Sequence, residues 1–101
     1  MIKITIEAVS AFIQHQPFHR GNTRVTIGDR YTRLYLQGNN IALFDRLEHK
    51  LYINPCGRVS ATIKRRLNGL SGVSIRQHKR EWFLNNSKKP MVMTGWTLIE
   101  T

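Results

Sequence analysis

Three kinds of side chain in this 101-residue sequence have types suited to catalysis or metal binding: one cysteine, four histidines and six acids. Cys56 is a nucleophile in principle, but such catalysis needs a base and an orienting group beside the thiol. Its neighbours Pro55 and Gly57 are turn formers and supply neither. His15 and His19 stand four apart, a spacing at which one helical face offers two metal ligands, but Pro17 lies between them and breaks that face. His49 and His78 fall in predicted turns. The six acids are scattered and form no pair for acid–base or two-metal work. The expectation is a protein without catalytic residue, metal or cofactor, and not an enzyme.

The cations do form a pattern. Lys plus Arg number 16 against 6 acids, for a formal charge of +10. Residues 58–89 hold nine of these cations against one acid, Glu81. A charge of this size draws polyanions and speeds encounter with them, and nucleic acid is the commonest such partner. The expected phosphate-binding residues are Lys64, Arg65 and Arg66 on a short helix, Arg76, Lys79 and Arg80 on a hairpin, and Lys88 and Lys89 after it. A second surface is expected on one sheet face, where Tyr31 and Tyr35 alternate with Arg24 and Arg33 and are placed to stack unpaired bases.

These residues are positioned by a short list of elements. "TIEAVSAFIQHQ", 5–16, has helical spacing at Ile6, Val9, Phe12 and Ile13, with Thr5 as the expected cap and Pro17 as the stop. From residue 23 the period changes to two. A Gly28–Asp29 turn would pair Val25 with Thr32 and Ile27 with Arg30, and a Gly38–Asn39 turn would pair Leu36 with Ile41 and Leu34 with Leu43. Either way Val25, Ile27, Leu34, Leu36, Ile41 and Leu43 share a face. "KLYIN", 50–54, is the fourth strand.

"SATIKRRLNG", 60–69, then reads as a helix capped by Ser60 and closed by Gly69 in a left-handed conformation, with Val59, Ile63, Leu67 and Leu70 on its apolar stripe. Arg65 points away from that stripe, and Lys64 and Arg66 flank it, Arg66 nearer the apolar edge. "GVSIRQHKREWFLN" reads as a hairpin with a four-residue loop Gln77–Arg80, pairing Ile75 with Trp82, Val73 with Leu84 and Arg76 with Glu81. The expected fold is a single α+β domain over 1–101: an N-terminal helix, a four-stranded antiparallel meander, a short helix and a C-terminal hairpin.

The combination "RGNTRV", "TRLYLQGNNIAL", "TIKRRLNGL" and "GVSIRQHKREWFLN" resembles small proteins of bacteriophages and related mobile elements. The shared positions are turn glycines, caps and core residues, so the resemblance implies a phage origin and no activity. The leading expectation is a non-enzymatic protein that binds nucleic acid, DNA or RNA, through its basic helix and hairpin loop with low sequence specificity. The alternative is a phage-encoded inhibitor of a host protein or defence complex, of anti-CRISPR or anti-restriction type. No apolar run approaches the roughly 20 residues of a membrane span, and the start "MIKITIEAVSAF" lacks signal-peptide character. The expected location is the host cytoplasm, without a membrane partner.

Overall fold

The computed structural model describes residues 3–58 and 60–99. In chain order the elements are α1 (Lys3–Ile13), β1 (Phe18–Arg20), β2 (Thr23–Ile27), β3 (Tyr31–Leu36), β4 (Asn39–Asp45), β5 (Lys50–Ile53), α2 (Ala61–Asn68), β6 (Ile75–His78), β7 (Glu81–Leu84) and β8 (Thr97–Ile99). The class is α+β, as expected. The expected four-stranded meander is the middle of a six-stranded antiparallel sheet, ordered β1-β2-β3-β4-β5-β8, while β6 and β7 form a separate hairpin.

α1 begins two residues earlier than expected, so Thr5 is not its cap but a fully buried residue inside it. Its inner stripe is Thr5, Ala8, Val9, Ala11 and Phe12, while Ile6 and Ile13 face outward. The helix ends without glycine. His15 takes the left-handed conformation at φ 56°, Gln16 N donates to Ala11 O at 2.9 Å and His15 N donates to Phe12 O at 3.2 Å. This is the paired closure that usually recruits glycine.

In the sheet, turn choice decides register. Gly28 N donates to Tyr31 O at 2.9 Å, closing a four-residue loop, so Val25 faces Leu34 and Ile27 faces Thr32. This is two residues off the expected pairing. A two-residue shift leaves every side chain on its own face, and Val25, Leu34 and Leu36 are buried as expected. Ile27, expected beside them, lies exposed at the strand end.

The next turn uses Gln37 and Gly38, at φ 52° and 80°, rather than Gly38–Asn39, so Leu36 faces Asn39. That moves the pairing by two residues, and a bulge beside Leu34 and Tyr35 takes back one, leaving it one residue off beyond that point. The Asn40 side chain lies at the bulge, its amide 3.1 and 2.8 Å from the carbonyls of Leu34 and Ala42. Ile41 therefore stays buried, but beyond it the faces exchange. Leu34 pairs Ala42 and Arg33 pairs Leu43, which puts Ala42 on the core side and Leu43 on the outer side, the reverse of expectation.

The core lies on one side of the sheet. Val25, Leu34, Leu36, Ala42, Leu51, Ile53 and Ile99 meet Ala8, Val9 and Phe12 of α1, Ile63 and Leu67 of α2, and Ile75 and Trp82 of the hairpin in one cluster. No helix of the described residues is long and apolar enough to cross a membrane.

Candidate nucleic-acid interface

The three adjacent cations of α2 have three different fates. Ser60 caps the helix as expected, its hydroxyl accepting from Ile63 N at 3.3 Å. Ile63 and Leu67 point into the core; Val59, expected on the same stripe, lies outside the described residues. Arg65 is exposed and Lys64 partly so. Arg66 is 3% exposed, which corrects its expected place among the phosphate ligands. Its Nη1 donates to Thr5 Oγ1, and its Nη2 to Thr23 Oγ1 at 3.3 Å, tying α2 to α1 and β2.

No carboxylate pairs with Arg66 among the described residues, and its Nε has no partner there. Burial, with Arg65 beside it, pushes its pKa below the ordinary arginine value. The guanidinium is a structural clamp held in place at an electrostatic cost.

The end of α2 holds the hairpin. Asn68 Oδ1 accepts from Ile75 N at 2.6 Å and its Nδ2 donates to Ile75 O at 3.2 Å, so one side chain pairs with the edge of β6 as a strand would. Gly69 is not left-handed: its φ is −75°. It serves closeness instead, since a Cβ there would stand 2.8 Å from Val9 Cγ2. The expected "RLNG" ending is thus a clamp, a core leucine, a hairpin anchor and a close approach to α1.

The hairpin turns on two residues, Lys79 and Arg80, rather than four. His78 pairs Glu81, Gln77 pairs Trp82, Arg76 pairs Phe83 and Ile75 pairs Leu84. The register is again two residues off expectation, and the faces survive: Ile75 and Trp82 are buried, Arg76 and His78 exposed. Lys79 and Arg80 sit at φ 51° and 68°, where residues other than glycine and asparagine pay on the order of 1 kcal/mol each. Two cations therefore occupy a tip where Asn-Gly would be more stable. Arg76 lies over the Phe83 ring at 4.7 Å and donates to Ser87 O at 2.9 Å, which brings the exposed Lys88–Lys89 turn against β6.

On the opposite side of the sheet the strands present an open face. One row across five strands reads Thr26, Arg33, Leu43, Tyr52 and Leu98. The next reads His19, Arg24, Tyr35 and Asn40. Arg24 lies over Tyr35 at 4.9 Å, and Arg30 and Arg33 both lie over Tyr31 at 5.3 Å. A groove of about 420 Å³ runs past Tyr31, Arg33, Leu43, Tyr52 and Trp96. Tyr31 and Tyr35 thus stand where expected; Tyr52 and Trp96 join them through pairings that local pattern does not show.

One end of this face carries acids. Asp45 is buried and takes two hydrogen bonds from Arg30, at 2.9 and 2.6 Å, and two from the backbone amides of Leu47 and Glu48 at 3.0 and 3.1 Å. The Arg30 hydrogen bonds, with those amides, hold its pKa down at about 2 against an ordinary 3.8. A carboxylate whose folded pKa is depressed stabilises the fold above its unfolded pKa and loses that contribution as pH falls through the folded one. Asp45→Asn is therefore expected to lower the melting temperature at neutral pH and to flatten its fall between about pH 4 and pH 2. An unchanged acid limb in thermal melts would show that another carboxylate controls it.

The side chains first considered for chemistry are placed structurally. Cys56 Sγ donates to the carbonyls of Asn40 and Asn54 at 3.6 and 3.5 Å, and burial pushes its pKa up, the opposite of an activated thiol. His15 Nδ1 meets Thr32 Oγ1 at 2.8 Å, whereas His19 sits on β1 among the outer-face rows. Among the described residues no group of three or more His, Cys, Asp or Glu is arranged to hold a metal.

The family model described as Kyanoviridae Gp96 protein matches residues 1–98, and the chain belongs to that phage protein family. No curated protein and no solved structure matches it.

Proposed function

We propose that this member of the Kyanoviridae Gp96 family binds nucleic acid with low sequence specificity, the helix and hairpin of its second half contacting phosphates. One observation carries the reading. The ion pairs among the described residues, Arg20–Glu7, Arg30–Asp45, Arg30–Glu48 and Lys50–Glu48, all lie between residues 7 and 50. The exposed cations of α2, the hairpin tip and the following turn have no acid partner there. Their charge is free for an outside polyanion.

Two details add support. Asn68 holds the hairpin to the end of α2, so Lys64 and Arg65 stand in fixed relation to the tip. The tip itself carries Lys79 and Arg80 at a conformational cost. Lysines and arginines contacting phosphates fix position and carry no sequence information, hence the low specificity.

The test is a titration of the purified protein against labelled duplex and single-stranded oligonucleotides at increasing salt. Binding is expected to weaken linearly in log K against log salt on random sequences. No binding at low salt, together with a host protein captured stoichiometrically after nuclease treatment, would replace this reading with that of a host-protein inhibitor.

A further inference from the structure

We propose that the outer face of the six-stranded sheet is a platform for single-stranded nucleic acid, with Tyr52 and Trp96 taking unpaired bases and Arg33 and Arg24 the phosphates beside them. This rests on the nucleic-acid reading above, but it assigns a different surface and a narrower ligand. The basic helix and hairpin pack on the core side of the sheet; these residues lie on the other.

The face is left open and has the chemistry of unpaired bases. Leu43, Tyr52 and Leu98 stand in one row, with Trp96 on the same groove, and Trp96 is 45% and Leu98 38% exposed. An apolar, aromatic strip left uncovered beside arginines is what flat, polar-edged, anion-linked rings require. The tyrosines divide by their partners. Tyr31 and Tyr35 already carry guanidiniums over their rings, so they fix Arg33 and Arg24. Tyr52 and Trp96 carry no such cation among the described residues, so their rings are open to a base.

Spacing selects single strands over duplex. Neighbouring rows on one face are two residues apart, about 7 Å, while bases along a duplex strand are about 3.4 Å apart. Bases laid on successive rows must therefore be unstacked from one another, which a single strand permits and a duplex does not. Charge sets the strand's path. Asp45 and Glu48 occupy the Arg30 end of the groove, so the phosphates run along Arg33 and Arg24.

The two tryptophans make a direct test. Trp82 is buried in the core and Trp96 is exposed on the groove. Titrating oligothymidylate into the full chain is expected to quench Trp96 emission, and the quench is expected to vanish in Trp96→Leu, where Trp82 alone emits. Tyr52→Leu and Trp96→Leu are each expected to weaken single-strand binding by about 5- to 150-fold. Their salt slope, duplex affinity and melting temperature are expected to stay as in the unaltered protein.

Oligothymidylate that binds without quenching Trp96, or binds both variants as tightly as the unaltered protein, would overturn the platform while leaving the nucleic-acid reading intact. If neither single strand nor duplex binds the unaltered protein at low salt, the broader reading fails, and the platform with it.

Discussion

Leu67→Ala is expected to destabilise the protein by about 2–5 kcal/mol, whereas Arg65→Ala, two residues earlier on the same helix, is expected to cost less than about 0.5 kcal/mol. Leu67 is fully buried against α1 and the sheet, and Arg65 is solvated. Arg66 separates packing from charge. Arg66→Ala removes the buried stem and leaves the hydroxyls of Thr5 and Thr23 without their donor, for a loss of about 2–4 kcal/mol. Arg66→Met keeps most of the volume and relieves the buried charge, so its loss is expected to be at most about 1 kcal/mol. Urea denaturation of the four variants reads all of these. A loss at Arg65 equal to that at Leu67 would mean that the helix presents a different face to the core. A loss for Arg66→Met as large as for Arg66→Ala would mean that the guanidinium's hydrogen bonds, not its packing, hold α2 to α1.

The same helix shows how far the sequence carries. Its cap, its apolar stripe and the outward direction of Arg65 follow from spacing at 100° per residue, which is a local property. Arg66 sits at the edge of the stripe, and only the positions of Thr5 and Thr23, 61 and 43 residues away, decide that its guanidinium turns inward. Strand faces are legible wherever an error in turn length is even: the β2–β3 and β6–β7 registers differ from expectation by two residues and keep every face. At β3–β4 the difference is odd. The turn alone shifts the pairing by two, but a bulge takes back one, and Leu43 and Ala42 exchange sides.

The open face is half legible for the same reason. Tyr31, Tyr35, Arg24 and Arg33 alternate within two adjacent strands. Tyr52 and Trp96 reach the groove because β8 pairs with β5 across more than forty residues, a pairing without a local signal. The three-residue β1, after Pro17, is too short for its period to show. The Gly21–Asn22 turn within "RGNTRV", with Gly21 at φ 58°, is its only mark.

The central claim, that free cations on α2 and the hairpin hold phosphates, is tested most directly by changing Lys64, Arg65, Lys79 and Arg80 together to Gln and measuring log K against log salt. All four lie at the surface, so the variant is expected to melt as the unaltered protein does. Each duplex phosphate that is no longer neutralised is expected to shallow the slope by about 0.9, and four together by about 3.6. Affinity at low salt is expected to fall with it. A folded quadruple variant that binds duplex with unchanged affinity and unchanged slope would contradict the claim, and Lys64, Arg65, Lys79 and Arg80 would be no more than the solvated side of the molecule or a surface for a protein partner.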